Sequence, residues 1–582
     1  MRPDVADFYA GISFDAYRLL GAHPAGAGRG WCFTCWAPHA RRVQVLGDWN
    51  GWDLYHPQEL SFCEDGLWRG RAPAAREGQL YKYNILGPDG VWRLRADPFA
   101  LAFEPLPGTA GRLVSPPPPL PALRRGPDWE RPVHIYELHA ESWRRHWDGR
   151  YYDGAALAEA LLPWVQSHGF THLEFLPLAE FPFDGSWGYQ GCGYFAPSQR
   201  IGGLTGFRAL VERLHQAGIG VLMDFVPVHF APDEGRLASF DGAPLFEMAG
   251  EAGRSDWGSL NFDLGSGPVR SFLLSAAAFW LHLCGCDGLR VDAIGNALYR
   301  PGGGWQAAEF FRTLTAGLHA RFPGTLLVAE DTAGALNATA LTRDGGLGFD
   351  YVWDTGWTRD TLDYFSAPFC ERPGLFDRFA AITAAFAHTR GINALSHDEN
   401  APRTGSVFSR LWGDEGEKQA QMRLLLLYQF ARPGKKLNFM GNEFSQRRPF
   451  APATEPEWEL LGDPAHRDLD AFYRALSAFY AAHPALFCGE GEGRCFDWAG
   501  QDPRRGVLGF VRQGGGETLL CAFNTGTAWV QGFGFDLRRL GWEVNARPVF
   551  AAGNLPDRPQ RSRGGWLALD LPPLSGGIWT LS

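Results

Sequence analysis

Eight short apolar runs recur between residues 131 and 483, with stretches of helical spacing between them. The runs are "HIYELHA", "THLEFLPL", "GIGVLMDFVP", "DGLRVDA", "TLLVAED", "GFDYVWD", "INALSHD" and "KLNFMG". The intervening segments, such as "AALAEALLPWVQSHG" and "GFRALVERLHQAG", place apolar residues on one helical face and end at a glycine. Strands alternating with helices in this way build a parallel sheet. Eight of them over some 350 residues fit a closed (β/α)8 barrel. A doubly wound open sheet is the alternative, but no Gly-x-Gly-x-x-Gly follows an early strand.

The flanks have a different texture. "GWCFTCWAPHARRVQVLGDWNGWD" alternates apolar and polar positions, then turns at Gly47-Asp48 and Asn50-Gly51. "LYKYNILGPDGVWRLRAD" reads as a hairpin with Pro88-Asp89-Gly90 at its tip. Residues 1–115 are therefore expected to form an N-terminal β-sandwich. "SPPPPLP", 115–121, is too stiff to enter a sheet interior and opens a Pro-rich linker over 116–130. The barrel is expected over 131–483. Strand texture returns in "GVLGFVRQ", "TLLCAFN" and "GGIWTLS", which predicts a C-terminal all-β domain, a β-sandwich, over 484–582.

Composition narrows the function. The 582-residue chain has a formal net charge of -10, which argues against a nucleic-acid partner or a polybasic membrane contact. No run approaches the ~20 apolar residues of a membrane helix. The opening "MRPDVADFYAGISFDAY" has acids where a signal peptide has an apolar core. Ten cysteines scattered through so long a chain suit reduced thiols, so a cytoplasmic protein is expected. Cys32 and Cys35 in "WCFTCW" form a Cys-x-x-Cys, but no second pair with zinc spacing follows, and on a strand they would face opposite ways. No cofactor and no metal is expected. Aromatic residues make up 14% of the chain, including 23 Trp and 42 Phe. Most belong in a core, yet aromatic faces also pack well on the C–H faces of sugars, which keeps carbohydrate in view.

The chemistry gathers at the ends of the expected strands. In "DGLRVDAI" Arg290 and Asp292 share one face of a strand and Leu289 and Val291 the other. Two solvated charges on an edge strand are one reading. The other strand ends argue against it: the third carries Asp224 with His229 just beyond, the fifth ends in Glu330, and the seventh in His397 and Asp398. Barrel strands present their C-terminal ends to one mouth, where active sites form. Carboxylates with histidine also bind divalent cations, so a metal site stays open on the residues alone. Two carboxylates facing one substrate suit glycoside cleavage: one is nucleophile and the other acid then base, about 5–5.5 Å apart when configuration is retained.

"DFVPVHF", "DGLRVDAI", "VAED" and "ALSHDEN" resemble, in order and approximate spacing, the four signature segments of the alpha-amylase superfamily. Within it, "YELHAESWRRH", "GSWGYQGCGYFAPSQRIG", "WGSLNFDLGSGPVRSFLLSAAAFWL", "GLGFDYVWDTGWTRDTLDYF" and "LNFMGNEFSQ" resemble the 1,4-alpha-glucan branching enzymes, from about residue 17 to 487. The front region with "GDWNGWD" is similar to the glycogen- and starch-associated module of that family. The resemblance implies an α-glucan polysaccharide or oligosaccharide substrate and gives no oligomeric state. It implies Asp292 as nucleophile, Arg290 as the cation orienting it, Glu330 as general acid and base, and Asp398 as binder of sugar hydroxyls near the reacting ring. His229 and His397 would donate to hydroxyls of that sugar, Tyr189 would give it an aromatic floor, and Asp224 would support the site. Burial and neighbouring acids should raise the pKa of Glu330.

The chain departs from the family pattern at loops. "SHDE" is followed by Asn400-Ala401-Pro402-Arg403-Thr404 rather than Val-Val-His-Gly-Lys, Glu330 is followed by Asp331 rather than a second glutamate, and "YRPGGGW" is short. Three outcomes follow: transfer to a 6-hydroxyl to form an α-1,6 branch; hydrolysis or transfer to a short acceptor on the same acids; or glucan binding without turnover, which the intact Asp292, Glu330 and Asp398 disfavour.

Overall fold

The structure, a computed structural model, describes residues 3–582 apart from 27, 124, 125, 127, 128, 302 and 332–336. Part of the expected 116–130 linker thus lies outside the described residues. The eight apolar runs are eight strands: β1 (His134–Leu138), β2 (His172–Phe175), β3 (Gly220–Phe225), β4 (Gly288–Val291), β5 (Leu326–Asp331), β6 (Tyr351–Asp354), β7 (Gly391–Leu395) and β8 (Lys435–Phe439). They close a barrel in sequence order, with β8 paired to β1. β1, β3, β4, β5, β7 and β8 are buried along their whole length, the mark of parallel strands covered on both faces. Two registers position the chemistry: Asp224 of β3 lies beside Arg290 of β4, and Val291 beside Ala329 of β5.

By compactness the chain divides into two units, Met1–Gly126 with His139–Ala160 and Glu174–Phe349, and Pro127–Leu138 with Leu161–Leu173 and Asp350–Ser582. In the first unit, antiparallel strands between Gly21 and Arg112 form one connected sheet. The expected hairpin is present, with Leu86 opposite Trp92 and Gly90 at φ +80° in its turn. Cys32 is exposed and Cys35 buried, as alternation on one strand requires. This region packs on barrel elements of the same unit. Phe99 stacks on Phe195 at 5.0 Å and meets Phe272 edge-on at 5.3 Å. The hydroxyls of Ser271 and Ser275, on the helix Gly267–His282, accept from the backbone N–H groups of Ser13 and Ala16 at 3.2 and 2.8 Å.

In the second unit, strands from Phe496 to Leu581 form a six-stranded sheet and a separate pair, Val530–Asp536 with Trp566–Leu571. The pair alternates cleanly. Phe533, Phe535, Leu567, Leu569 and Leu571 enter a core with Val511, Leu520 and Trp579, while Gly534, Asp536, Trp566 and Ala568 take the other face. At the start of β8 lie Lys435 and Lys436, both buried, with Arg432 and Arg512. Glu490 supplies the acid: it lies 3.3 Å from Lys435 Nζ and 3.3 Å from an Arg512 nitrogen, and accepts from the N–H of Gly434 at 2.7 Å. Lys435 also donates to the Phe487 carbonyl at 2.7 Å, and Arg512 to that of Ala431 at 2.7 Å.

Candidate active site

The β3–β4 register brings Asp224 against Arg290, so the charges of "DGLRVDAI" are not surface charges. Arg290 is 1% exposed. One of its terminal nitrogens donates to both oxygens of Asp224 at 2.8 Å and to Asp292 Oδ1 at 2.8 Å. The other lies 3.1 Å from Glu330 Oε2. A planar guanidinium is the one cationic group that can address three carboxylates through fixed donors. Tyr189 donates its hydroxyl to Asp224 Oδ2 at 2.5 Å, and its ring lies 5.8 Å from the Arg290 guanidinium carbon.

Asp292 sits one residue past β4, where the chain turns sharply into the helix Ile294–Tyr299. The turn is made at Ala293 in a left-handed conformation, φ +47°. A side chain at positive φ is strained by about 1–3 kcal/mol and persists only where its surroundings over-determine it. Here the Ala293 N–H donates to Glu330 Oε2 at 2.7 Å. One bent peptide therefore links the residue after Asp292 to the Glu330 carboxyl. Burial pushes the Asp292 carboxyl well above the usual carboxylate range; Arg290 opposes this, while Glu330 and Asp224 push with it.

His229 begins a two-residue strand paired with Leu260–Asn261. Its Nε2 lies 3.9 Å from Asp292 Oδ2, beyond a direct hydrogen bond. Its ring packs on Trp257 at 4.9 Å. Burial and the nearby Arg300 pull its pKa down to about 4, so the ring is neutral near pH 7. Tyr189, Asp224, His229, Arg290, Asp292 and Glu330 thus form one cluster in the first unit.

In the second unit, His397 and Asp398 follow β7. Glu137, fully buried on β1, accepts from the His397 backbone N–H at 2.9 Å and pairs with its Nδ1 at 2.5 Å. That contact fixes the ring, whose Nε2 lies 3.5 Å from Asp398 Oδ1. The Asp398 side chain is 52% exposed. Glu399 turns back to accept from the N–H and hydroxyl of Ser396 at 2.8 and 2.6 Å, and desolvation and Asp398 push its pKa up to about 7. The sequence reading missed Glu137. Its signal was the one that exposed Arg290: a charge inside an apolar run, here "HIYELHA".

A closed parallel barrel with a buried aspartate and glutamate held by one arginine at its strand ends fits a carbohydrate-active barrel enzyme, as the resemblance to the alpha-amylase superfamily implies. Comparison with known proteins narrows this. The model of carbohydrate-binding module 48, the isoamylase N-terminal domain, matches residues 19–100. The 1,4-alpha-glucan branching enzyme GlgB of Bacillus caldolyticus is 39% identical over 538 residues, covering 89% of this chain and 81% of the relative. That of Bacillus subtilis is 36% identical over 550 residues, covering 90% and 86%. Among solved structures, a pullulanase from Anoxybacillus sp. complexed with maltotetraose superposes with a TM-score of 0.77 over 98% of this chain and 89% of that one, at 15% identity, a likeness of fold. The chain belongs to the 1,4-alpha-glucan branching enzyme family.

Proposed function

We propose that the protein is a retaining transglycosidase that cuts an α-1,4 bond of a glucan and moves the freed segment to a 6-hydroxyl, making an α-1,6 branch. Asp292 attacks the anomeric carbon while Glu330 gives its proton to the departing 4-oxygen, so a C1–O bond to the chain breaks as an ester bond to Asp292 forms. The acceptor's 6-oxygen then attacks the same carbon, its proton passes to Glu330, and Asp292 leaves as carboxylate. Arg290 holds Asp292 and Glu330 in mutual geometry. Asp224 and Tyr189 support Arg290, with the Tyr189 ring as a floor for the sugar. The roles of Asp398, His229 and His397 as partners of sugar hydroxyls rest on their matching segments. The single observation that carries the reading is the bond from Ala293 to Glu330, since it ties acid and nucleophile together on a strained peptide. With Oε2 occupied by Ala293 and Arg290, Oε1 is the oxygen for the proton.

Water at about 55 M competes for the ester, so transfer requires an acceptor bound at high effective molarity. Residues 1–115 are proposed to serve as the glucan-holding module. A cytoplasmic location fits the ten cysteines, all free. The test is incubation with amylose. Iodine colour should fall while reducing ends stay nearly constant, and α-1,6 anomeric protons should appear by NMR. Hydrolysis as fast as α-1,6 bond formation, or new linkages without α-1,6, would overturn the assignment, and the loop from Asn400 to Thr404 would be the first place to look.

A further inference from the structure

The strand Trp92–Arg95, in the hairpin of the front region, is inside out. Trp92 and Leu94 are 40% and 43% exposed, while Arg93 is half-buried and Arg95 only 7% exposed. Alternation puts the two arginines on one face, turned inward, where apolar side chains normally go. Both line a cavity of about 560 Å³ within the first unit, together with Arg254, Glu234, Ser255 and Ser259. That volume suits a small-molecule site.

Arg95 is the unusual member. Its Nε and one terminal nitrogen donate to the carbonyls of Phe240 and Ser239 at 3.0 and 3.2 Å. Among the described residues, its Nη1 bonds to no protein atom and no carboxylate lies within 4 Å of the guanidinium. Carbonyls satisfy donors but do not cancel charge, and a buried cation without a counter-ion is costly. Burial and the neighbouring Arg93 pull its pKa below the usual arginine value. The acids nearby are spent elsewhere. Asp89 takes two bonds from Arg93 at 2.8 and 2.5 Å, and Asp241 pairs with His39 at 3.1 Å. Glu247 accepts from the N–H and hydroxyl of Ser239 at 2.8 and 3.2 Å. Arg254 has no ion pair among the described residues. Glu234, exposed, is the one acid in the lining. Against it stand Arg95 and Arg254, so the lining carries a net positive charge.

Arg254 to Leu260 form a closed loop, in which Arg254 bridges Leu260 and the hydroxyls of Ser255 and Ser259 meet at 2.5 Å. At its tip Trp257 packs on His229, and the Trp257 carbonyl accepts from Gln190 Nε2 at 3.2 Å, next to Tyr189. One end of the loop thus lines the cavity and the other touches the reactive cluster. We propose that the cavity binds a small phosphate ester, and that its occupant, by holding this loop, sets how Trp257 supports His229. A tetrahedral phosphate offers oxygens to two guanidinium forks arriving from different elements, where a carboxylate matches one. Arg95 Nη1 and the Arg254 fork take the phosphate, and the serine hydroxyls and Glu234 meet hydroxyls of the ester's body. The chemistry of the site is independent of the branching reading, and only its effect on the branching rate rests on it.

Titration calorimetry of the full chain with glucose 6-phosphate, inorganic phosphate and glucose tests this, beside branching rates on amylose. Glucose 6-phosphate should bind with a Kd below about 1 mM, more tightly than inorganic phosphate, and glucose should give no heat. Arg254→Ala should raise that Kd about tenfold with unchanged melting temperature and basal rate, and Arg254→Lys should restore part of the binding. At its wild-type Kd the ester should raise the branching rate roughly two- to fivefold and leave R254A nearly unmoved. No heat with glucose 6-phosphate, an unchanged Kd in R254A, or glucose or inorganic phosphate binding as tightly as the ester would each overturn the site. Binding without any change in branching rate overturns the link to His229. Binding by a protein that makes no α-1,6 bonds supports the site and sinks the branching reading.

Discussion

Replacing Arg290 by methionine keeps the volume and removes the one cation shared by Asp224, Asp292 and Glu330. The guanidinium nitrogens lie 2.8, 2.8 and 3.1 Å from the oxygens of these three acids. At an effective dielectric of about 20, each unit pair near 3 Å attracts by roughly 5–6 kcal/mol, and most of that offsets desolvation. Measured against the buried acids left behind, the net loss is about 3–5 kcal/mol. The sign with pH follows from the acids. Burial already raises the folded pKa of Asp292, and removing the guanidinium that opposes this raises it further, so protonation of Asp292 favours the fold. The stability that its protonation contributes is intact below the unfolded value and is lost as pH rises through the raised folded one, with a slope of up to about 1.4 kcal/mol per pH unit. The variant's deficit should therefore be widest at pH 8 and narrow toward pH 5. Scanning calorimetry of both proteins at the two pH values should show the first transition lowered on the order of 10 °C at pH 8 and by clearly less at pH 5. A shift within about 2 °C at pH 8, or a deficit that grows toward pH 5, would refute the shared-cation account.

Asp292→Asn should abolish turnover by many orders of magnitude while leaving fold and glycogen binding in place; more than a few per cent residual activity in purified protein removes Asp292 from the nucleophile's role. Glu137→Gln should keep the fold but weaken the charge-assisted bond to His397, lowering kcat roughly 10–100-fold with a smaller change in KM; unchanged kcat would show that the His397 ring needs no such hold. Deleting residues 1–115 strips Phe99 from Phe195 and Phe272 and the backbone donors from Ser271 and Ser275, so the truncated chain should be insoluble, and a soluble truncated chain active on short oligosaccharides would show that the front region does not complete the barrel's surface.

The barrel was legible because each strand announces itself as an apolar run, and period-2 alternation correctly put Arg290 and Asp292 on one face. What stayed hidden were pairings between distant segments. Glu137 and His397 are 260 positions apart, and no local pattern couples them. The left-handed turn at Ala293 was equally silent, since alanine carries no preference for positive φ and the conformation is imposed by Glu330 and the turn into the following helix. Trp566 read as one more core aromatic, since only the alternation of a ribbon that forms late in the chain tells outside from inside.

The cations at the foot of β8 bear on how the molecule is made. Lys435 emerges from the ribosome before Phe487, Glu490 and Arg512, and Glu490 is the acid paired with it. A nascent chain halted short of Glu490 holds Lys435 in a buried site with no counter-charge to offset its burial. The final strand of the barrel can then lock only after the ribosome has delivered part of the C-terminal β domain. Vectorial synthesis thus meets a built-in checkpoint, and a grafted barrel ending at residue 483 would leave that checkpoint permanently open.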